Sequence, residues 1–543
     1  MKRKENSSRL LWFTLCVVLS VVALSVIPPF QLFGMTTSRV DVMSELKPTK
    51  LDVENTEEYM ADIERLESEL AMLEEEIVEE VDTLAKMPII RYEWVDNAVA
   101  QTSEHRRIIR SEDLAFEAQK ANVEFEDFDT LEYTKFERFI DKLASGEDVR
   151  IAFMGDSFVE GDILTSDLRA ILQQKFGGRG VGFVPCDIPF ATVRKSVKRT
   201  ASGWTAYSVM KPKALPSSVK DKFFISGYLA SGKAGATTVW RTTNDSPTLD
   251  SCTRARVLLY SRDSSRVTIN INDTLSKSFS IEGADYLREI YVEAPVSSVR
   301  IKVDRGNVLC YGASLEGDGG VLVDNFSIRS NNGHALFGTS AKINRQADEM
   351  LNYDLVVLQY GLNIMQKGQR SYGRYRDQVR DMIAYAERCF PNAAILVLGV
   401  SDRWVKNEQT SKYEPIGSVD ALTSYQRAAA DSCGVVFWNT SKAMAQLGGM
   451  PKFVANGWAA KDYTHINYNG GKRIANELAG SIINRVRMAI EEQAAQLMSY
   501  DELNLPGIMD FEKPGFELAE SAMPSPMNVV YPIINGTELG LNE

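Results

Sequence analysis

Eighteen consecutive uncharged residues, Leu10 to Ile27, follow a start that holds Lys2, Arg3, Lys4 and Arg9, and Pro28-Pro29 closes the run. That length spans a bilayer as a helix, and flanking cations keep the N-terminus cytoplasmic. The pattern therefore predicts a cytoplasmic tail over 1–9 and a transmembrane signal anchor over 10–27. A cleaved signal peptide is the rival, but its apolar region is shorter and ends in a small-x-small site, which Ala23-Leu24-Ser25 fits poorly. Farther on, Tyr59, Ile63, Leu66, Leu70, Leu73 and Ile77 recur at alternating spacings of four and three. This predicts an acidic helical, coiled-coil-like stalk over 51–87, stopped by Pro88. With Ile63 at an a position, Glu67, Glu69, Glu74 and Glu76 fall at e and g, so parallel self-pairing would oppose like charges. The seam is expected to pack on its own body or on a different protein.

Beyond the stalk the period changes twice. Leu131, Tyr133, Phe136, Phe139, Ile140 and Leu143 have helical spacing, and Val149 to Met154 reads as a short buried strand. Leu355–Tyr360, Ala394–Val400 and Val435–Trp438 read as further buried strands. Helical patterns lie at Asp162–Phe176, Tyr372–Ala386 and Val419–Asp431, with a long last helix over about 470–497. Such alternation implies an α/β fold with a parallel sheet covered on both faces. Between about 190 and 315 the period is two: Val267, Ile269 and Ile271 alternate with Thr268 and Asn270, and Val299, Ile301 and Val303 with Arg300 and Lys302. That texture predicts a β-sandwich over 190–315, inserted between a first part at 128–189 and a second at 316–493. The proline-bearing, aperiodic tail 494–543 is expected to be disordered.

With 44% hydrophobic and 25% charged residues in 543, the chain has globular composition and room for several domains. Its net charge of −12 argues against nucleic acid as a partner. The charge is localised, since 51–86 holds fourteen acids against two bases and 494–543 holds eight against one. The body between them is nearly neutral and free to approach anionic glycans. Five cysteines outside the apolar run (Cys186, Cys252, Cys310, Cys389, Cys433) show no CxxC or Cys/His spacing, so a zinc site is not expected. Their number is odd, and their pairing is open.

The first strand delivers Gly155-Asp156-Ser157 into a helix, a placement suited to a nucleophile. Only three histidines compete as its base. His105 lies in a polar run, and His334 follows Asn331-Asn332-Gly333. His465 closes Asp462-Tyr463-Thr464-His465, in which an aspartate three residues ahead can accept the Nδ1 proton and leave Nε2 to take the serine proton. After Leu355–Tyr360 comes Gly361-Leu362-Asn363, whose amide sits where parallel sheets bind ligands and could donate to an oxyanion.

With these motifs in this order, the sequence resembles the SGNH/GDSL hydrolase superfamily. Gly155-Asp156-Ser157 looks like its first block, Gly361-x-Asn363 its third, and Asp462-x-x-His465 with Asn467 and Gly470 its last. Gly333 is the match to the second-block glycine. The string from Gly155 through Asp162, Leu164-Thr165, Leu168-Arg169 and Phe176-Gly177 to Gly182-Phe183 is similar to peptidoglycan O-acetylesterases of that superfamily. So are Gly312-Ala313-Ser314-Leu315-Glu316 and Val323-Asp324-Asn325. Phe158 stands where those esterases often carry His, and Ser330 and Asn332 depart from the usual second block.

The resemblance implies an SGNH-type, flavodoxin-like three-layer fold with an inserted carbohydrate-binding-like β-sandwich. It also implies a catalytic triad of Ser157, Asp462 and His465, and an oxyanion hole from the N–H groups of Ser157 and Gly333 and the Asn363 amide, with no metal or cofactor. The expected function is a membrane-anchored exported serine esterase removing O-acetyl groups from peptidoglycan or another envelope polysaccharide. It would be held in the bacterial inner membrane with its catalytic domain in the periplasm. The alternatives are an O-acetyltransferase of the same fold working with a membrane O-acyltransferase, the stalk being its docking site, and a non-catalytic glycan-binding scaffold.

Overall fold

The computed structural model of the chain describes residues 31–32, 35–36, 90–96, 108–114, 123–189 and 194–503, with side chains to 496. The apolar run 10–27, the stalk 51–87, His105 and most of the tail lie outside these residues. Among the described residues no helix is long and apolar enough to cross a membrane. Gln31–Leu32 pairs antiparallel with Met35–Thr36 within a unit ending at Lys86, and everything below belongs to the unit that begins at Met87.

Five parallel strands form the central sheet in the spatial order Val321–Ser327, Val149–Gly155, Leu355–Gln359, Ala394–Leu398, Val436–Trp438, and Glu126–Asp127 adds an antiparallel edge. Taken in chain order this is 2-1-3-4-5, the flavodoxin-like arrangement, whose crevice opens where the strand order reverses. The strands are mostly apolar because both faces are covered, with buried polar exceptions at Arg150, Asp324, Asn325 and Gln359. Ala152, Met154, Val356 and Leu358 pack under the helices Ala341–Leu351, Gly373–Cys389 and Val419–Cys433. Val149, Ile151, Phe153 and Val357 pack on the opposite face under Lys135–Ala144, Thr165–Phe176 and the long last helix. The run alone gave the strands, while the layer each residue joins follows from the alternation within it.

Helix ends differ from the periodic reading for local reasons. Lys135–Ala144 starts at a capping box, in which Thr134 accepts from the Glu137 N–H and the Glu137 carboxylate accepts from the Thr134 N–H. The helix expected from Asp162 starts at Thr165, because Gly161 and Asp162 have φ of 64° and 68° and interrupt it. The last helix runs from Tyr468 to Leu503, which moves the start of the tail from 494 to beyond 503. Val321–Ser327, whose Asp324 and Asn325 are polar and buried, gave no strand signal in the hydrophobic pattern.

The period-two region is a ten-stranded sheet. Ser265–Ile271 and Ser298–Arg305 pair antiparallel, with Val267 opposite Val303 and Ile269 opposite Ile301. The strands expected to form a sandwich join one continuous, branched sheet, in which Lys198–Ser208 pairs with Tyr228–Arg241 and Gly182–Pro185 with Asn307–Glu316 off the main path. Its inner side encloses a core around Trp240, Val257, Ile269, Ile301 and Val308. Ile90–Val95 joins its edge parallel to Leu287–Val296.

A chain of alternating charge, buried except at its Arg91 end and partly at Arg256, ties this sheet to the central one. Arg91 Nε pairs with Glu289 at 2.6 Å, Glu289 with Arg256 Nη1 at 2.8 Å, and Arg256 Nε with Glu316 at 3.0 Å. Glu316 pairs with Arg150 Nη1 at 2.6 Å, and Arg150 Nε with Asp324 at 2.8 Å. Burial alone would raise the pKa of Glu316, but Arg150 and Arg256 hold it well below the usual carboxylate range. Glu316→Gln leaves Arg150 with Asp324 and Arg256 with Glu289, each short of one buried carboxylate, so chemical denaturation at pH 7 is expected to show a loss of about 3–5 kcal/mol. Because the folded pKa is depressed, this contribution is present above about pH 4 and is lost as pH falls further, so the gap from wild type should close there.

Candidate functional site

Ser157 lies in the turn after Val149–Gly155, at the carboxyl end of the sheet. Gly155 is required at the strand's end, because a Cβ there would come within 2.4 Å of Val159 and 2.8 Å of the Gln359 amide oxygen. Asp156 is wholly buried; its carboxylate accepts the Phe158 N–H at 2.9 Å and the Asn363 amide at 3.3 Å. The next residue, Ser157, is half-buried, and neither its N–H nor its hydroxyl bonds to another described residue. Both stay available to a ligand.

Asp162 anchors the far side of this turn. Its carboxylate accepts from Thr165 at 2.8 Å, from Arg169 at 3.4 Å, from Arg194 at 2.9 and 3.1 Å, and from the Ser196 hydroxyl. Burial alone would raise its pKa, but Arg194 and Arg169 carry it far below the ordinary range. Asn325 joins the same shell, donating to Val159 O at 2.8 Å and Thr165 Oγ1 at 2.7 Å. Asn325 of Val321–Ser327 thus acts as a support for the serine turn.

Asp462 and His465 share one loop. His465 Nδ1 is 2.7 Å from one Asp462 oxygen, while the N–H groups of Thr464 and His465 donate to the other at 2.9 and 3.0 Å. Burial raises the Asp462 pKa, but these hydrogen bonds outweigh it and bring the carboxyl down to about 2, so it is ionised at neutral pH. Both side chains are half exposed. His465 is within electrostatic reach of Asp156, the neighbour of Ser157. The loop and serine turn are clamped together: Tyr468 donates to Gly161 O at 2.7 Å, and Gly471 lets the last helix approach Ile163 O so closely that a Cβ would stand 1.8 Å away.

Asn363 follows Gly361, whose φ of 120° suits only glycine. Its amide nitrogen donates to Asn331 O at 2.9 Å as well as to Asp156, so both of its hydrogens are engaged in the free protein. The bond to Asp156 is the longer of the two. The Gly333 N–H donates to Asn331 Oδ1 at 2.9 Å and is likewise occupied. Asn331, buried and bonded to both candidate donors, organises this side of the site, a role its sequence position beside a turn glycine did not disclose. His334 stays apart from the Asp462–His465 pair; its ring packs on Phe337, and burial lowers its pKa.

The five described cysteines are free. Among the described residues no group of His, Cys, Asp and Glu could hold a metal ion.

Burial is the main cause that pushes the Asp156 carboxyl up to about 7, against the Phe158 N–H and the His465 charge. A carboxyl with a raised folded pKa costs stability as pH rises from its unfolded value towards that one. The stability of Asp156→Asn relative to wild type is therefore expected to rise between about pH 4 and 7 and flatten above, as read by urea denaturation across pH. A pH-independent difference would show that Asp156 does not titrate in this window.

No family model and no curated protein matches the sequence. Among solved structures, a peptidoglycan O-acetylesterase is similar at a TM-score of 0.55 and 22% identity, over 67% of this chain and 99% of that one. A family two carbohydrate esterase from Cellvibrio japonicus (10% identity, 54% of this chain and 98% of that one) and a GDSL-like lipase from Parabacteroides merdae (16%, 30% and 74%) align at TM-scores of only 0.23. The first likeness shows the fold: two-thirds of this chain is built like that esterase.

Proposed function

We propose that the protein is a serine esterase that removes O-acetyl groups from peptidoglycan or another envelope polysaccharide. The observation that carries this reading is the 2.7 Å bond from His465 Nδ1 to Asp462, on a loop clamped to the turn that presents an unpaired Ser157. Ser157 Oγ attacks the acetyl carbonyl while His465 Nε2 takes its proton, and ionised Asp462 stabilises the imidazolium. The Ser157 N–H and the Asn363 amide, released from Asp156, hold the oxyanion. Collapse expels the sugar oxygen, which takes the proton from His465. Water, activated by the same histidine, then attacks the acetyl-serine and releases acetate. The half-exposed Asp462–His465 pair leaves water a route to this intermediate, which favours hydrolysis over transfer to a sugar hydroxyl.

The apolar run 10–27 supports anchoring in the inner membrane with the body exported. The like-charged positions flanking the apolar seam of 51–87 support a stalk that pairs with something other than itself. Full-length protein is expected to release acetate from O-acetylated peptidoglycan, and Ser157→Ala to lower kcat by at least about 10⁴-fold. Acetyl transfer to an added glycan exceeding acetate release would favour the acyltransferase reading. Undiminished turnover in Ser157→Ala would remove the nucleophile assignment. Asn363→Ala is expected to cost about 10²–10³ in kcat with KM little changed, as steady-state kinetics would report.

A further inference from the structure

Arg403 lies where the Asn363 turn and the Asp462–His465 loop meet. Its Nη1 donates to Leu362 O at 3.1 Å, one residue before Asn363. The next residue, Trp404, donates its N–H to Tyr463 O at 3.1 Å, inside the Asp462–His465 loop, and the Arg403 carbonyl accepts the Ile416 N–H at 3.2 Å. The residue is thus fixed by its backbone and by one guanidinium nitrogen.

The rest of the guanidinium has no protein partner. Arg403 Nε is buried without a hydrogen bond, and no carboxylate forms an ion pair with Arg403 among the described residues. Asp462 acts on it electrostatically, but both Asp462 oxygens are already taken by the His465 ring and by two backbone N–H groups. Tyr372, 3% exposed and within electrostatic reach of Arg403, also has a buried hydroxyl without a partner. A partly buried cation without a hydrogen-bonded counter-ion is costly, and burial lowers the Arg403 pKa although the Asp462 charge opposes this. An internal water would satisfy the tyrosine hydroxyl but supplies no charge. An anion does both, and the Nε/Nη2 edge of a guanidinium matches the two oxygens of a carboxylate.

We propose that Arg403 and Tyr372 form a carboxylate-binding subsite beside Ser157 and His465, which takes the acidic group of an O-acylated sugar, a lactyl ether or a hexuronate. The subsite rests on the esterase reading, with Arg403 tying substrate charge to the turn that carries Asn363. It would hold the sugar through its carboxylate while the acetyl group lies at Ser157.

Binding to full-length Ser157→Ala protein tests the subsite without turnover. The ligands are peptide-free peptidoglycan strands with a free lactyl carboxylate, the same strands with that carboxyl amidated by peptide, an oligohexuronate, and a neutral xylo-oligosaccharide. The expected result is binding of a carboxylated ligand that Arg403→Gln weakens about tenfold or more and Arg403→Lys weakens less, while Tyr372→Phe weakens it several-fold. Preference for peptide-free over amidated strands would identify the lactyl source, and preference for the oligohexuronate the uronate source. Equal weakening of the neutral ligand by Arg403→Gln, or no binding of any carboxylated glycan, would overturn the proposal. Failure of wild-type protein to release acetate, with carboxylate binding intact, would count against the esterase reading alone.

Discussion

Arg150 occupies the strand that ends in Gly155-Asp156-Ser157, and its guanidinium is saturated by Glu316, Asp324 and the Ser314 hydroxyl, all buried. A buried arginine in a parallel strand is tolerable only with such compensation, and half of it comes from the ten-stranded sheet. The chain continues through Arg256 and Glu289 to Arg91, so the position of the serine strand and the register of the other sheet are fixed by one set of charges. Such a network adds little net stability over an apolar core. What it supplies is exclusiveness of arrangement, since any displaced register would leave a bare charge in a desolvated interior.

A second network repeats the device beside Ser157. Asp162 gathers Arg169 from the helix after the serine turn and Arg194 from the segment that leads into the ten-stranded sheet. Three connections therefore converge on the turn: a glycine that lets the strand end tightly, an aspartate that holds the far side, and the Tyr468 clamp from the histidine loop. The geometry around Ser157 rests on elements more than three hundred residues apart in sequence.

Much of this was legible in the sequence. Continuous apolar runs gave four of the five parallel strands, because a strand covered on both faces has no polar side to show. The fifth, Val321–Ser327, was hidden because its Asp324 and Asn325 belong to the ion chain and the serine shell, so buried polar bonding erased the periodic signal. The Asp462-x-x-His465 spacing pointed to a bonded pair, since three residues suffice for the loop to turn back. Asn331 and Arg403 carried no such mark, as their roles depend on backbone atoms of distant loops rather than on any spacing. The β-region was readable as strands, but their joining into one branched sheet depends on pairings between Gly182–Pro185, Tyr228–Arg241 and Asn307–Glu316 that no local pattern encodes.

The sharing of charges across the two sheets also limits how the molecule can be taken apart. Cutting out the ten-stranded sheet would remove Glu316 and leave Arg150 with a single carboxylate, on the strand that leads into Ser157. A reduced scaffold therefore needs an apolar residue at 150 and a repacked neighbour at 324. Grafting a different insertion requires it to bring an acid to the place of Glu316. In engineering terms the two sheets are one part.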